Sequence, residues 1–276
     1  MMNRHSLILI RGAGDLASGI ALRLWRAGMR VVMTEIPRPT CIRRSVAFSQ
    51  AVVDGETTVE GLRAKLAADA DEALALLEQG YLPVLVDPDC RCRTLLSPDV
   101  LVDAILAKRN LGTSITDAPI VIGVGPGFTA GVDCHAAVET MRGHSLGRAL
   151  YQGSPLPNTS VPGLIGGRAG ERVLRAPADG IFREALRIGD RVKAGDVAGW
   201  VGGEPMRCTI DGVLRGLLAS GVPVRKGMKA GDVDPRNDPS YCETVSDKAL
   251  AIGGGVLEAI LHFSQERTPK GEGHGT

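Results

Sequence analysis

A glycine-rich turn near the start of the chain carries the residues best suited to binding chemistry. The run Gly12-Ala13-Gly14-Asp15-Leu16-Ala17 follows the apolar residues Leu7–Ile10 and matches the pattern G-x-G-x-x-G/A. Gly12 permits a sharp turn, Gly14 leaves space for a pyrophosphate, and the next helix offers free N–H groups to that anion. The predicted nucleotide-binding residues of this turn are Gly12, Ala13, Gly14, Asp15 and Leu16. The alternative is a tight strand-to-helix turn that holds no ligand.

A carboxylate and two arginines follow where the ribose and phosphates of a nucleotide are expected. Glu35 ends the second apolar segment, Arg30–Thr34. A carboxylate there accepts ribose hydroxyl groups and repels a 2′-phosphate, so we expect NAD or NADP as the cofactor, with NAD favoured. Arg43 and Arg44 either bind phosphate through their guanidinium groups or form a solvated pair at the start of a helix.

Further candidates in the middle of the chain leave the catalytic residues unassigned. Gly125 and Gly127 flank Pro126 and form either a second anion-binding turn of backbone N–H groups or a rigid turn. His135 and His144 are suited to acid–base catalysis near neutral pH, although a hydrogen-bonded structural histidine is the more common case.

The pair Cys90-Arg91-Cys92 has two chemical interpretations and one structural one. Two thiols at this spacing can bind a metal or cycle between thiol and disulfide. Because no second cysteine pair stands at the spacing of a zinc site, we expect unrelated, partly buried thiols and no metal.

The elements that must position these residues alternate between strands and helices. Predicted helices cover 60–79 and 104–108, and predicted strands cover 82–86, 100–102 and 119–124. Such alternation is typical of an α/β fold with a parallel sheet. Ligands on such sheets bind beyond the carboxyl ends of the strands, so Gly12, Glu35, Asp87 and Gly125 should converge on one edge. We therefore predict a Rossmann-like nucleotide-binding domain over 1–165.

The C-terminal half contains an internal repeat. Asp179-Gly180-Ile181-Phe182-Arg183 recurs as Asp211-Gly212-Val213-Leu214-Arg215, a shift of 32 residues, and later glycines keep this shift. Val192-Lys193-Ala194-Gly195-Asp196 resembles the turns of biotinyl and lipoyl domains, which implies a small all-β barrel-sandwich hybrid over 170–236. The hairpin between the copies, 202–207, has no lysine, so a swinging-arm carrier is not expected.

A C-terminal helix over 240–265 is expected to pack back on the first domain, with a disordered tail over 266–276. The triplet Gly253-Gly254-Gly255 inside this helix costs about 1 kcal/mol per glycine relative to alanine. Either the helix breaks at that point or a neighbouring segment packs against its bare backbone.

Composition excludes several classes of function. Lys plus Arg total 32 and Asp plus Glu total 31, so the chain has no basic excess for nucleic acid. Aromatic residues make up only 3%, which argues against stacking of exposed bases. No apolar run approaches the ~18 residues of a membrane span. We expect a cytoplasmic protein whose six cysteines are thiols.

Several stretches together resemble the YqeB family, accessory proteins of selenium-dependent molybdenum hydroxylase systems. They are 10–19, Pro39-Thr40 with Ile42-Arg43-Arg44, 46–49, 125–131, Arg142-Gly143-His144, and 247–255. The resemblance spans nearly the whole chain and implies a maturation role for a client molybdenum hydroxylase or its cofactor. Cys41, Cys90 and Cys92 are not part of the family pattern, so the resemblance implies no thiol mechanism.

Three functions remain open at this stage. The chain is an assembly factor or enzyme that uses a nucleotide, a non-catalytic nucleotide-sensing chaperone, or a stand-alone NAD-dependent oxidoreductase. The expected partners are the client hydroxylase or its cofactor, and a homo-oligomer is possible.

Overall fold

The computed structural model describes residues 6–159 and 163–266. Its largest sheet is built from β1 (Leu7–Arg11), β2 (Arg30–Glu35), β3 (Glu56–Val59), β4 (Leu62–Ala67), β5 (Leu82–Val86), β6 (Val100–Asp103), β7 (Ile120–Val124), β8 (Ala136–Val138) and β9 (Ala149–Leu150). The helices are α1 (Asp15–Arg26), α2 (Gln50–Asp54), α3 (Ala70–Glu78), α4 (Arg93–Leu96), α5 (Ser240–Glu243) and α6 (Asp247–Glu266). The sheet order is β3-β4-β5-β2-β1-β6-β7-β8-β9.

This sheet is mixed, so the predicted fold class, a Rossmann-like parallel sheet followed by a biotinyl/lipoyl-like barrel-sandwich hybrid, is wrong. The C-terminal helix of that prediction is present as α6. Inner neighbours such as β1 and β2 pair in parallel, but β3 pairs antiparallel with β4 and β9 antiparallel with β8. Both edges therefore depart from a parallel sheet, and few helices cover it.

One predicted helix is shorter than expected and another is absent, both for local reasons. The segment predicted as helix over 60–79 begins with a hairpin, because Glu60 and Gly61 both take positive φ values, 45° and 86°, between β3 and β4. Only Ala70–Glu78 is helical. The segment 104–108 is an irregular loop in which Leu106 and Lys108 have φ of 62° and 66°. The connection from β6 to β7 therefore carries no helix.

The repeat forms two four-stranded antiparallel sheets. Their strands are β10 (Val173–Arg175), β11 (Gly180–Glu184), β12 (Arg191–Val192), β13 (Val197–Val201), β14 (Glu204–Arg207), β15 (Gly212–Leu217), β16 (Pro223–Val224) and β17 (Lys229–Asp234). The first sheet has the order β10-β17-β15-β12 and the second β14-β13-β11-β16. The strands β11, β12 and β13 begin 32 residues before β15, β16 and β17.

These two sheets are not a self-contained carrier module. Their apolar core includes Ile42 from the first half of the chain. Leu217 N donates to Ile42 O at 2.7 Å, and Arg44 forms an ion pair with Glu184. The prediction of a biotinyl/lipoyl-like domain is corrected on this point, because the repeat completes its core with residues from outside it.

The helix α6 packs against α1 over bare backbone. A Cβ atom on Gly253 would lie 3.0 Å from the Gly19 carbonyl oxygen, and one on Gly255 would overlap the carbonyl of Gly147. Gly253 and Gly255 thus permit close approaches, whereas a Cβ on Gly254 would meet nothing within 4 Å, and α6 continues through all three to Glu266. The predicted disordered tail falls outside the described residues from 267 onward.

None of the described helices combines the length and the apolar character that crossing a bilayer would need.

Candidate functional site

The glycine-loop pocket lies at the carboxyl ends of β1, β2 and β5. It has a volume of about 230 Å³. Its lining residues are Arg11, Gly12, Gly14, Asp15, Leu16, Ala17, Thr34, Glu35, Ile36, Thr40, Cys41, Asp87, Pro88, Ala104, Ile105 and Leu106. The predicted convergence on this edge is confirmed for Gly12, Glu35 and Asp87, whereas Gly125, the fourth residue of that prediction, does not line this pocket.

Most of the backbone N–H groups that would hold a phosphate in this loop are already engaged. Gly12 N donates to Thr34 O at 2.9 Å, and Ala13 N donates to Glu35 Oε2 at 3.0 Å. The other carboxylate oxygen of Glu35 accepts from Ile36 N at 2.8 Å. Burial raises the pKa of the Glu35 carboxyl above its ordinary value, and these two backbone hydrogen bonds oppose that shift. Both carboxylate oxygens of Glu35 are thus used in hydrogen bonds to the backbone beside them.

Cys41 closes the remaining side of the glycine loop. The thiol accepts hydrogen bonds from the backbone of Asp15 and Arg43. Burial and the nearby carboxylates of Asp15 and Glu35 raise the pKa of Cys41 to about 12. The thiol is therefore neutral at physiological pH and adds no positive or negative charge to the pocket.

The basic cavity is larger and lies between the first half of the chain and the repeat sheets. It has a volume of about 670 Å³. Eight cationic side chains line it: Arg43, Lys108, Arg142, Arg172, Arg175, Arg215, Lys229 and Lys248. Its two carboxylates are Asp15 and Asp232. Asp15 and Leu16 line both the basic cavity and the glycine-loop pocket, so the two spaces adjoin.

One wall of the basic cavity is a buried network of ion pairs. Asp232 forms ion pairs with Arg172 and with Arg215, whose Nε lies 2.9 Å from Asp232 Oδ2. Arg215 also contacts Asp234 at 2.9 Å, and Asp234 in turn pairs with Arg236 at 2.6 Å. In this network the charges of Asp232 and Arg215 are already compensated.

Three lysines of the cavity are not compensated in this way. The ammonium groups of Lys108, Lys229 and Lys248 have no hydrogen bond or ion pair within 6–159 and 163–266. Burial lowers the pKa of Lys229, although this first residue of β17 is exposed to solvent. Burial, and then repulsion from Lys108 and Arg142, lowers the pKa of Lys248. Positive charge is thus concentrated without a protein counter-charge of equal size.

Arg43 and Arg172 add buried guanidinium groups to the same cavity. Each residue is 7% exposed, and the Nε of each lacks a hydrogen-bond partner among the described residues. Arg43 holds the backbone before α6 through Tyr241 O at 2.7 Å and Thr244 O at 3.1 Å. Burial lowers the pKa of both side chains. Arginine stays protonated, so both remain cationic.

The structure separates the residues that the sequence analysis assigned to one nucleotide site. Gly12, Gly14, Asp15, Leu16 and Glu35 line the glycine-loop pocket, whereas Arg43 lines the basic cavity. Ala13 is fully buried behind the loop.

Arg44, Gly125 and Gly127 line neither space. Arg44 donates to Leu217 O at 2.9 Å and pairs with Glu184. Gly125 N donates to Val138 O at 2.9 Å, and a Cβ on Gly127 would lie 2.5 Å from Arg109 Cα. The backbone hydrogen bond of Gly125 and the close packing at Gly127 therefore explain both glycines without a ligand.

His135 and the pair Cys90 and Cys92 have structural partners. His135 Nδ1 accepts from Val121 N at 3.0 Å, and its ring contacts Phe263. The Cys90 and Cys92 thiols hydrogen-bond to each other, which lowers the pKa of Cys90 and raises that of Cys92. All six cysteines are free thiols. Over the described ranges, His, Cys, Asp and Glu side chains form no group of three suited to a metal ion.

Lys108, Lys229, Lys248 and Arg172 were missed by the sequence analysis. The repeat carried one usable signal, because Lys229 stands where the first copy has Val197. A lysine that replaces an apolar strand residue in an otherwise regular repeat marks a position under a different constraint. Lys248 lies in a stretch that supported the family resemblance, but that stretch alone gave it no role.

Comparison with protein-family models gives no match. A search of solved structures finds an aspartoacylase family protein from Mesorhizobium loti, 12% identical, covering 83% of this chain and 84% of that chain, with a TM-score of 0.26. It also finds the product-bound ectoine utilization protein EutE (DoeB) from Ruegeria pomeroyi, 12% identical, covering 83% and 84%, with a TM-score of 0.24. Likeness at this level assigns no activity.

The prediction of a Rossmann NAD(P)-binding protein is wrong, because the sheet pairs antiparallel at both of its edges and is not a parallel Rossmann sheet. The engaged N–H groups of the glycine loop give the physical reason, because Glu35 and Thr34 occupy donors that a pyrophosphate would need. The preference for NAD over NADP, which rested on Glu35, stays an untested prediction.

The sequence comparison gives a much stronger match. Uncharacterized protein YqeB of Escherichia coli (strain K12) is 54% identical to this chain over 257 residues, or 93% of the chain. The aligned region covers 48% of that relative, so the chain spans about half its length. The similarity supports the assignment of this chain to the YqeB family.

Proposed function

We propose that this chain is an accessory protein in the maturation of a selenium-dependent molybdenum hydroxylase, and that it binds a phosphate-bearing anion in the basic cavity. The family resemblance supports the maturation role. The observation that carries the binding role is the group of three unpaired lysines, Lys108, Lys229 and Lys248, in one cavity. The described lining adds two buried guanidinium groups, those of Arg43 and Arg172.

The free-energy argument for an anion starts from the cost of unpaired charge. Like charges held close together in a partly buried space destabilise the folded chain. Burial, and then this repulsion, lowers the pKa of Lys248. A bound anion would remove that repulsion and would hydrogen-bond to several ammonium groups at once. Phosphate groups suit this lining because arginine offers paired donors and lysine offers a compact point charge.

The cavity supports binding better than it supports acid–base chemistry. Of its two carboxylates, Asp232 is held by Arg172 and Arg215. Asp15 lies at the start of α1, where it also faces the glycine-loop pocket. We therefore assign the cavity the task of holding and orienting an anionic molecule for the client or its cofactor.

Calorimetric titration of the purified chain with inorganic pyrophosphate tests the binding role. The double variant Lys229→Gln/Lys248→Gln should lose at least about tenfold in affinity, since each charged hydrogen bond contributes roughly 1.5–3 kcal/mol. Lys226→Gln is the matched control, because Lys226 lies on an exposed turn next to β17 and does not line the cavity. Absence of pyrophosphate binding by the unaltered chain, or equal affinity in the double variant, would contradict the proposal.

The pH dependence of the same titration has a definite sign. Both lysines must be protonated to bind an anion, and both have lowered pKa values because of burial. Pyrophosphate affinity should therefore fall as pH rises towards the ordinary lysine pKa of about 10.4, and the fall should begin below that value. A constant affinity up to pH 10 would show that these lysines do not contribute.

The maturation role requires a separate test in a host that makes a selenium-dependent molybdenum hydroxylase. Deletion of the gene for this chain should lower hydroxylase activity per molecule of hydroxylase polypeptide. The unaltered chain should restore activity, as should the Lys226→Gln control, whereas Lys229→Gln/Lys248→Gln should not. Full hydroxylase activity in the deletion strain would overturn the maturation role while leaving the anion site intact.

A further inference from the structure

The glycine-loop pocket contains a glycine that the fold itself does not require. Gly12 is explained by packing, because its φ is +100° and a Cβ there would lie 2.9 Å from Ala104 O. Gly14 has an ordinary φ of −66°, and a Cβ there would meet only Cys41 Sγ, at 4.0 Å. Gly14 therefore leaves open space in the lining of the pocket where a side chain would fit.

The polar atoms of this pocket are mainly acceptors that favour N–H donors, since Arg11, the cation in its lining, already pairs with Asp103 at 3.3 Å. Asp15, Glu35 and Asp87 supply three carboxyl groups to the lining. Both Glu35 oxygens accept backbone hydrogen bonds, and Asp87 Oδ2 accepts from Cys92 N at 2.7 Å. The carboxylate of Asp15 has no hydrogen bond or ion pair in the described part of the chain, so its acceptor capacity is unused.

Apolar side chains complete the lining of the same pocket. Leu16, Ile36 and Leu106 line it, and Ile36 is 37% exposed although it is a large aliphatic residue at the end of a buried strand. Apolar walls combined with carboxylates fit a flat ring whose faces are apolar and whose edge carries donors. A nitrogen heterocycle with amino and ring N–H groups has this distribution.

Asp15 connects this pocket to the basic cavity. Its carboxylate lies close enough to Lys229 and Lys248 to favour the charged forms of both. A molecule that passes Asp15 would therefore have one end among uncompensated lysines and the other end among carboxylates and aliphatic side chains.

We propose that the two adjoining spaces form one site for a phosphorylated nitrogen heterocycle. The phosphate lies in the basic cavity, the ring enters the glycine-loop pocket over Gly14, and its N–H edge donates to Asp15. This inference rests on the proposed anion site and adds the class of the ligand. It reverses the orientation expected from the glycine pattern, in which the glycine loop would hold the phosphates.

Titration with pyrophosphate, GDP and IDP tests this assignment, because GDP and IDP differ only in the 2-amino group of the ring. GDP should bind at least about tenfold tighter than both pyrophosphate and IDP, the size of one hydrogen bond to a charged group. In Asp15→Asn the GDP-to-IDP affinity ratio should fall to within about threefold. Equal affinities for GDP and IDP in the unaltered chain would overturn the inference.

Gly14→Ser supplies a second variant whose folding is not in question. Serine is a favoured residue at the N-cap position that Gly14 occupies, so thermal stability should be kept. Its side chain would occupy the space over the loop, so GDP affinity should drop to that of pyrophosphate. Unchanged GDP affinity in Gly14→Ser would overturn the placement of the ring.

These outcomes separate the two proposals. Failure of the anion site appears as absent or lysine-independent binding of pyrophosphate. Failure of the ring site appears as normal, lysine-dependent pyrophosphate binding with no gain for GDP over IDP. A gain for GDP that survives in both Asp15→Asn and Gly14→Ser would also overturn the ring site.

Discussion

The glycine-loop pocket and the basic cavity adjoin each other but satisfy their polar groups in opposite ways. In the glycine loop, backbone donors are already bonded to Thr34 O, Glu35 and Cys41. In the basic cavity, Lys108, Lys229 and Lys248 have no partner within the described residues. Unsatisfied charge therefore marks the proposed anion site, and the familiar glycine pattern does not.

The comparison teaches that a motif and a site can differ when the motif also has a structural task. Gly12 is required by the approach of Ala104, and Glu35 is required to satisfy Ala13 N. Both residues match a nucleotide-binding pattern, yet each has a sufficient reason within the fold. Variants that separate structural from binding residues sharpen this contrast.

The largest expected effect comes from the paired charges in the wall of the basic cavity. Asp232→Asn should lower the free energy of unfolding by about 3–5 kcal/mol, because it leaves the buried guanidinium groups of Arg172 and Arg215 without a counter-charge. Urea denaturation at neutral pH measures this loss.

Two further variants serve as controls for this measurement. Lys229→Gln removes an unpaired charge from the same wall and should leave stability equal or higher. Asp211→Asn breaks an exposed pair with Lys193 and should cause no measurable change. A loss in Lys229→Gln as large as that in Asp232→Asn would contradict the distinction between paired and unpaired charges.

An intermediate effect is expected from the two glycines of the glycine loop. Gly12→Ser should cost about 2 kcal/mol or more, since it combines a φ of +100° with a contact of 2.9 Å to Ala104 O. Gly14→Ser should cost little, because a Cβ at that position has space. Thermal unfolding of the matched pair measures the difference. Similar losses for both variants would mean that Gly14 is also required by the fold.

The sequence predicted the inner strands well because they are short, apolar and bounded by polar turns. Strands β1, β2 and β5 and the meeting of Gly12, Glu35 and Asp87 followed from this pattern alone. The hairpin of β3 and β4 was not recognised from the sequence. Its residues are compatible with a helix, and only the pair Glu60-Gly61 indicates the turn.

The basic cavity could not be predicted because its residues are far apart in the chain. Lys108 lies in an irregular loop, Lys229 in a repeat strand and Lys248 at the start of α6. They meet only because α6 packs against α1 and the repeat sheets share a core with Ile42. Local spacing carries no information on such a meeting, whereas the replacement of Val197 by Lys229 between repeat copies does.

The smallest expected effect concerns Arg142, a cation of the basic cavity that already has a partner. It donates two hydrogen bonds to Asp247, at 2.7 and 2.8 Å, and this pair lowers the pKa of Asp247 to about 2. The lowered pKa means that the pair stabilises the fold fully above the ordinary aspartate pKa of about 3.9. This contribution is lost as the pH falls from about 4 towards 2.

Because the Asp247 side chain is 72% exposed, solvent screening reduces the energy of this pair to about 0.5–1 kcal/mol. Asp247→Asn should therefore lower the free energy of unfolding by that amount at pH 7, and the difference should shrink at pH 3. Arg142→Gln should change pyrophosphate affinity by less than about threefold, since its charge is already compensated, unlike that of Lys229. Urea denaturation at pH 3, 5 and 7 and calorimetry at pH 7 measure the two effects. An Arg142→Gln loss as large as that of Lys229→Gln would show that a protein counter-charge does not exclude a residue from the anion site.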